Sequence, residues 1–177
     1  MTDDERRLGT IDYRDKQVIV RMERRLGAPP AEVWQLLTDP EELPLWLAEV
    51  EMEPRVGGAF NLTFENTNSS SRGQITRFEP VSTFEFMWQT GEKFESLVCF
   101  ALHPTADNAG TDLVLTHTTL HTREGANEYA AGWHHHLDLL AARAAGLAAD
   151  WNWLQFNDLL EGYTGSMNDE RRSTNGE

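Results

Sequence analysis

Two periodicities of apolar and polar positions divide the chain. Residues 17–26 alternate with a period of two, so that Val18, Val20 and Met22 share one face, and this pattern predicts the first strand. From residue 48 to residue 121, short alternating segments are separated by turn residues, which predicts an antiparallel meander of about six strands. One face of these segments is apolar, at Phe60, Leu62, Phe64, Phe84, Phe86, Trp88, Val98, Phe100, Leu102, Leu113 and Leu115. We expect that face to be buried and the other to be mostly solvated.

Helical patterns flank this meander. Pro30 follows the first strand and is suited to open a helix, because its missing N–H would have no partner in the first turn. Asp39 is predicted to cap a second short helix, which Pro44 ends. After residue 121, apolar side chains recur every three or four positions, at Tyr129, Trp133, Leu137, Leu140, Ala144 and Leu147, which predicts one long amphipathic helix.

Residues 150–163 read as a further helical stretch whose role the pattern leaves open. Asp150 is predicted to cap it, and Gly162 and Gly165 are predicted to close it. An exposed apolar patch near Trp151 and Trp153 would favour contact with another protein or self-association.

The order of elements predicts an α+β fold. It consists of one strand, two short helices, a curved antiparallel sheet of about six to seven strands in all, and a long C-terminal helix. A sheet with one apolar face must bury that face on the helix, and incomplete closure would leave a cavity lined by aromatic side chains. We expect a single domain over residues 16–165, with a flexible tail at 1–15 and a disordered tail at 166–177.

Composition narrows the partners and the compartment. The 177 residues carry a formal net charge of -14, which repels nucleic acids and anionic membrane surfaces, so neither is expected as a partner. The N-terminus lacks the apolar core of a signal peptide, and we expect a cytoplasmic protein. Cys99 is the only cysteine and lies in an apolar run, so we interpret it as a small core residue.

Five motifs in one order resemble a known family. They are APPAEVW at 28–34 with LTDPE at 37–41, PRVGG at 54–58, FMW at 86–88, GTDLVLTH at 110–117, and AGW at 131–133 with Leu137 and Leu140. Together they resemble the SRPBCC superfamily, and more narrowly the single-domain bacterial proteins named for the C-terminal domain of the activator of Hsp-90 ATPase. The resemblance runs from about residue 17 to about residue 146. It implies a START-like, helix-grip fold, and the superfamily is best known for binding apolar small molecules.

The histidine triplet His134, His135 and His136 invites a metal-site interpretation that helix geometry opposes. Successive helical residues turn by about 100°, so the three rings diverge too far to share one ion, and no metal is expected. We expect His135 to face solvent and His134 to contact Asp138, four residues on, at the surface. His136 is expected to flank the buried side of the helix and to border the cavity.

A fourth histidine, His117, is in phase with Leu113 and Leu115 and therefore faces the helix. A buried imidazole needs a partner, which is either a structural hydrogen bond to the long helix or a ligand. The candidate ligand-binding residues are Trp46, Phe60, Phe86, Trp88, Phe100, His117, Trp133 and His136. For each aromatic residue among them, ordinary core packing is the alternative.

Three functions follow as hypotheses. The first is non-enzymatic binding of an apolar small molecule, lipid-like or aromatic, with no cofactor. The alternative is an interaction module for an Hsp-90-type chaperone, as the resemblance implies, and a homo-oligomer is left open. The third is a cavity enzyme with His117 and His136 as acid and base, although no G-x-S-x-G or phosphate-binding glycine motif occurs in the sequence.

Overall fold

In the computed structural model, which describes residues 9–14, 17–91, 94–120 and 123–174, nine strands form two antiparallel sheets. The strands are β1 (Thr10–Arg14), β2 (Gln17–Leu26), β3 (Glu49–Met52), β4 (Phe60–Phe64), β5 (Ser69–Ser71), β6 (Ile75–Glu79), β7 (Thr83–Thr90), β8 (Phe94–Pro104) and β9 (Thr111–Leu120). The larger sheet has the order β1-β2-β9-β8-β7-β6, and the smaller has the order β3-β4-β5. Bridges at Ala59–Gln74 and Arg72–Gln89 join the two sheets.

Three α-helices complete the described part of the chain: α1 (Pro30–Thr38), α2 (Arg123–Ala144) and α3 (Trp153–Thr174). Pro30 opens α1 as the sequence predicts. Gly146 follows the end of α2 with a φ of 73°, a left-handed conformation that glycine adopts without strain. Of these helices, none is both long enough and apolar enough to cross a membrane.

The core lies between the larger sheet and α2. On β7, Phe84, Phe86 and Trp88 alternate inward, and all three are buried. From α2, Trp133 and Leu137 face them and are equally buried. The predicted α+β class, with an antiparallel sheet packed on a long helix in the helix-grip manner, is confirmed.

The structure corrects several local predictions. The second short helix is only a 3-10 helix, Leu43–Leu45, and Asp39 instead accepts the Glu41 N–H through its side chain at 2.9 Å. The cap of α3 is Asn152, not Asp150, because Asn152 Oδ1 accepts the N–H groups of Leu154 and Gln155 at 2.9 and 3.2 Å.

Secondary structure extends into both predicted tails. Within 1–15, Thr10–Arg14 forms β1 along β2, and Ile11 packs against the core. Within 166–177, α3 continues to Thr174, so Gly162 and Gly165 do not close that helix. Residues 1–8 and 175–177 lie outside the described part of the chain. The division into one domain at 16–165 stays a prediction.

The core assignment of Cys99 is wrong. Its neighbours Val98 and Phe100 point into the core, so strand alternation places Cys99 on the outer face, where it is only half-buried. Burial there, with a smaller contribution from the Glu85 carboxylate, raises the pKa of the Cys99 thiol to about 11. The thiol is therefore protonated at neutral pH and is a poor nucleophile.

Candidate functional site

His117 is fully buried on β9 and belongs to a directed hydrogen-bond relay. Trp133 Nε1 on α2 donates to His117 Nδ1 at 3.0 Å, so the proton of the neutral ring is on Nε2, which donates to Ser96 Oγ at 2.7 Å. Ser96 Oγ in turn donates to the Trp88 carbonyl at 3.1 Å. The relay ties α2 to three neighbouring strands, β9, β8 and β7.

Burial determines the charge state of His117. Burial lowers its pKa to about 3, and the ring is therefore neutral at pH 7. The predicted structural hydrogen bond to the long helix is confirmed. Since both ring nitrogens have partners within the protein, His117 has no free nitrogen to offer a ligand.

His136 connects α2 to the segment that follows the 3-10 helix. Its Nδ1 donates to the Trp46 carbonyl at 2.8 Å, which leaves Nε2 as the unprotonated nitrogen of the neutral ring. Burial lowers the pKa of His136 to about 4, although the hydrogen bond to the carbonyl opposes that shift. At neutral pH the ring is therefore an acceptor through Nε2.

The other two triplet histidines hold α3 against α2. His134 Nδ1 is 2.9 Å from the Tyr163 hydroxyl, which also accepts the Gly9 N–H at 2.8 Å. His135 Nε2 accepts the Asn152 N–H at 2.9 Å, and its ring packs on Trp151 with centroids 4.5 Å apart. Each histidine thus contacts a different segment of the chain.

The expected exposure of His135 is wrong. Only 1% of its surface is accessible. The loop before α3, which includes Trp151, covers the face of α2 that was expected to be exposed to solvent. His134 does approach Asp138, at 3.8 Å between Nε2 and Oδ2, but it does so in a buried setting and not at the surface. Burial lowers the pKa of His134 to about 4 and also lowers that of His135.

An aromatic cavity of about 300 Å³ lies where β7, α2 and the start of α3 meet. Trp88 meets Trp133 with ring centroids 5.5 Å apart, and Tyr129 edge-on at 6.1 Å. Trp151 and Phe156, whose centroids are 5.5 Å apart, close the opposite side. The full lining is Leu47, Phe64, Asn66, Thr67, Ser69, Trp88, Thr90, Glu128, Tyr129, Gly132, Trp133, His136, Trp151, Trp153 and Phe156. We call this space the aromatic cavity.

A smaller cavity of about 190 Å³ adjoins the aromatic cavity and shares Phe64, His136 and Trp151 with it. Trp46 lines this smaller space, and its Nε1 donates to the Leu36 carbonyl at 2.8 Å. His136 therefore borders both spaces.

A third concavity, which at about 580 Å³ is the largest of these three, lies along β2 and β9 and is built differently. Four of its charged side chains pair with one another, Arg21 with Glu23 and Arg25 with Asp112 at 2.7 and 3.0 Å, while Arg24 reaches Asp138 on α2 at 3.4 Å. A groove of mutually paired surface charges offers little binding free energy, so its size does not make it the better candidate site.

The structure brings only some of the sequence-predicted site residues to the cavities. Trp88, Trp133 and His136 line the aromatic cavity, and Trp46 lines its smaller neighbour. The remaining four, Phe60, Phe86, Phe100 and His117, lie in the packed core and line none of the three spaces described above.

Sequence reasoning missed five lining aromatics, which are Phe64, Tyr129, Trp151, Trp153 and Phe156. Tyr129 belongs to the apolar stripe of α2, so its position in the helical repeat was the available signal. Trp151 and Phe156 belong to the stretch 150–163, whose apolar spacing was visible but whose packing partner was not.

The proposed acid and base pair, His117 and His136, is not supported by the geometry. The ring of Trp133 contacts both histidines, with centroid distances of 6.2 and 6.3 Å, and its N–H occupies His117 Nδ1. Both imidazoles are neutral at pH 7, so neither would serve as a proton donor of matched pKa.

One comparison with known proteins finds a family. The model of the "Activator of Hsp90 ATPase homolog 1-like protein" family matches residues 27–145. A comparison with curated proteins found no match.

Solved structures share the fold. CalU16 from Micromonospora echinospora is 28% identical, with 84% of this chain and 86% of CalU16 covered and a TM-score of 0.68. The protein encoded by BPP1335 from Bordetella parapertussis is 26% identical, with 93% and 94% covered and a TM-score of 0.69. The Aha1 dimer from Colwellia psychrerythraea is 17% identical, with 71% and 95% covered and a TM-score of 0.64.

Proposed function

The chain belongs to the activator of Hsp90 ATPase homolog 1-like family, and from this premise we propose that it binds an apolar small molecule, aromatic or lipid-like, in the aromatic cavity. The observation that carries the proposal is the cavity itself, whose lining includes seven aromatic side chains where helix and sheet meet: Phe64, Trp88, Tyr129, Trp133, Trp151, Trp153 and Phe156. No chemical turnover is part of the proposal.

The size and lining of the aromatic cavity suit such a ligand. Its volume of about 300 Å³ lies at the lower end of the range of about 300–1,000 Å³ for small-molecule sites. Burial of apolar surface contributes roughly 25 cal/mol per Å², and flat aromatic walls bury a planar molecule on both of its faces.

Gly132 provides a way to close the cavity without disturbing the core. It lies on α2 among the lining residues, and a Cβ built at this position meets no neighbouring atom within 4 Å. A leucine at this position should therefore project into the open space. A Cβ built at Gly165 on α3 also meets no atom within 4 Å, but Gly165 lines none of the three cavities. Gly165 therefore supplies a matched control.

The experiment is a titration with N-phenyl-1-naphthylamine, a neutral probe whose fluorescence rises in apolar surroundings. We expect saturable binding to the unmodified protein, loss of that binding in Gly132→Leu, and retention in Gly165→Leu. Circular dichroism and thermal unfolding should show that both variants stay folded. Absence of any saturable signal, or equal binding by both leucine variants, would remove the proposal.

A second candidate function is interaction with an Hsp90-type chaperone, which the name of the matching family favours. Exposed apolar side chains at the start of α3 could form the contact, since Trp153 is 46% and Leu154 is 76% exposed. Mixing the protein with a purified bacterial Hsp90-type chaperone tests this directly. A complex that Leu154→Ser weakens would support it, and unchanged sedimentation and ATPase rate would exclude it. Self-association and residence in the cytoplasm stay predictions.

A further inference from the structure

The Nε2 atom of His136 is a hydrogen-bond acceptor that the described part of the protein leaves unused. The Trp46 carbonyl can only accept, so Nδ1 of His136 carries the ring proton and Nε2 keeps its lone pair. None of the described residues donates to Nε2. His117 differs, because Trp133 and Ser96 occupy both of its ring nitrogens.

This Nε2 atom is not sealed inside the packed core. Among the described residues, five side-chain polar atoms are both fully buried and without a hydrogen-bond partner: Arg24 Nε, Trp88 Nε1, Asn127 Oδ1, His135 Nδ1 and Trp151 Nε1. His136 Nε2 has no partner either but is not one of these fully buried atoms, so it retains accessible surface. The residue as a whole is only 8% exposed, so little else of it is open.

The accessible part of His136 faces the spaces that the residue lines. His136 borders both the aromatic cavity and its smaller neighbour. Its ring packs among Phe64, Trp133 and Trp151, with centroids 5.9, 6.3 and 4.8 Å away, and all three of these residues line the aromatic cavity as well. Since Nδ1 is held by the Trp46 carbonyl, Nε2 is the nitrogen that a molecule in these spaces can reach.

The lining also selects the charge of a ligand that would use this acceptor. Among the described lining residues of the aromatic cavity there is no lysine or arginine, so a carboxylate or phosphate would lose water without a compensating cation. An ammonium group would lose water too, and the lining carboxylate of Glu128 is exposed, so it would pair with that group only weakly. A neutral hydroxyl group avoids both costs.

We propose that His136 is the recognition residue of the site and that its Nε2 accepts a hydrogen bond from the hydroxyl group of a neutral aromatic ligand. This inference rests on the proposed function and narrows it from apolar molecules in general to aromatic compounds that carry a hydroxyl group. The aromatic lining supplies affinity through apolar burial, and Nε2 supplies selectivity for the hydroxyl group.

The test compares 2-naphthol with 2-methoxynaphthalene, in which a methyl group replaces the hydroxyl hydrogen, and with 2-methylnaphthalene, which has no oxygen. Dissociation constants are measured by displacement of N-phenyl-1-naphthylamine. Without an acceptor, the two methyl compounds would bind more tightly, because they bury more apolar surface and desolvate no hydroxyl group. We expect the unmodified protein to reverse that order and to bind 2-naphthol about fivefold more tightly, as one net hydrogen bond implies.

Two substitutions remove the acceptor in different ways. His136→Asn keeps an amide N–H for the Trp46 carbonyl, on the atom that corresponds to Nδ1, but is too short to place an atom at the position of Nε2. His136→Phe keeps a flat ring and has no ring nitrogen. Each should abolish the preference for 2-naphthol, so either one suffices if the other folds poorly. His103→Asn, at an exposed histidine of β8 that borders neither of these two spaces, is the matched control and should keep the preference.

Nuclear magnetic resonance of protein with ¹⁵N-labelled histidine observes Nε2 directly. The signal of the unprotonated Nε2 of His136 is identified by its loss in the His136 variants. Saturation with 2-naphthol should move this signal to lower frequency, because the lone pair then accepts a hydrogen bond, and 2-methoxynaphthalene should move it far less.

The outcomes separate the two proposals. Equal or weaker binding of 2-naphthol relative to the methyl compounds overturns the inference but leaves ligand binding intact. A preference that survives in a folded His136 variant overturns it too, and so does an Nε2 signal that 2-naphthol leaves unchanged at saturation. Binding of N-phenyl-1-naphthylamine that none of the three naphthalenes displaces also overturns it. Absence of binding by all four compounds removes the proposed function itself.

Discussion

The two ends of the aromatic core are built from the same kinds of residue, yet one end is filled and the other is open. At the filled end, Phe60 lies 4.3 Å from Phe86 and 5.2 Å from Phe84, and Phe78 packs edge-on to Phe84 at 5.9 Å. At the open end, Trp88 and Trp133 border a cavity of about 300 Å³. Aromatic content alone therefore does not distinguish core packing from a binding site.

The difference lies in what covers each end. The filled end is enclosed by the second sheet, which inserts Phe60, and by α1, from which Trp34 contacts Phe78 at 5.2 Å. The open end is bordered by Leu47, by residues 64–69 at the edge of the smaller sheet, and by the segment around Trp151 with the first turns of α3. The histidine triplet contributes to holding that cover in place, through His134 to Tyr163 and through His135 to Asn152.

The largest expected effect is a loss of folding stability at acidic pH, and it should differ between the two ends. In the folded protein the pKa values of His134 and His136 lie at about 4, and that of His117 at about 3, all below the unfolded value of about 6.5. The unfolded chain therefore takes up protons first as pH falls. Stability is complete above about pH 6.5 and declines toward pH 4, by roughly 2–3 kcal/mol for each of the three histidines.

Urea unfolding at pH 7.5, 6.0 and 4.5 measures this decline. Hydrogen exchange should show α3 losing protection at a higher pH than β7 and β9, because His134 gains its proton before the more deeply shifted His117 does. His134→Gln should reduce the pH dependence. A stability that stays constant between pH 7.5 and 4.5 would contradict the buried, neutral state of these rings.

The second prediction concerns the filled end. Phe86→Ala should lower the free energy of unfolding by about 3–5 kcal/mol, since it leaves a void among packed rings. Chemical denaturation monitored by circular dichroism gives this value. Trp153→Ala, at a residue that is 46% exposed, serves as the comparison and should cost far less. Equal losses at the two positions would erase the distinction between the filled and open ends.

The third prediction concerns the hydrogen-bond relay through His117, next to the open end. Ser96→Ala removes the acceptor of His117 Nε2, and the orphaned N–H should cost about 1–3 kcal/mol. The matched control is Ser70→Ala at an exposed position of β5, where a change within about 0.5 kcal/mol is expected. Thermal unfolding of the two variants compares their losses of stability. If Ser96→Ala is as stable as Ser70→Ala, the relay does not contribute to stability.

The smallest expected effect is a gain. Gly132→Ala should stabilise the protein by up to about 1 kcal/mol, because alanine favours the helix and its methyl group meets open space. Differential scanning calorimetry measures the change. A loss of stability would show that the wall of the aromatic cavity near Gly132 is tighter than the structure indicates.

Much of the fold was predictable because its signals are local. The period of two in β2, β7 and β9 identified the inward residues, and Phe84, Phe86 and Leu115 are all buried as that pattern required. Rotation of about 100° per helical residue correctly separated the three histidines of the triplet. Even the interaction of His117 with the long helix followed from strand phase and the need of a buried imidazole for a partner.

The lining of the candidate site was predictable only in part. Trp88 and Trp133 were identified from their positions in repeats, but Phe60 and Phe86 had the same signal and proved to belong to the filled end. The error over His135 has the same origin. Its partner, the Asn152 N–H, lies 17 residues further along the chain, and no repeat in α2 indicates that another segment will cover that face.

By itself, the sequence determined the order of the main elements, the apolar faces of the central strands and the divergence of the triplet, since these depend on backbone geometry within a few residues. Only the tertiary structure decided where the aromatic core stays open and which nitrogen of His136 stays an acceptor. Those outcomes depend on contacts between distant segments, such as the hydrogen bond from His136 to Trp46, 90 residues apart. Local periodicity specifies which side chains turn inward, whereas long-range packing determines whether they meet one another or enclose a space.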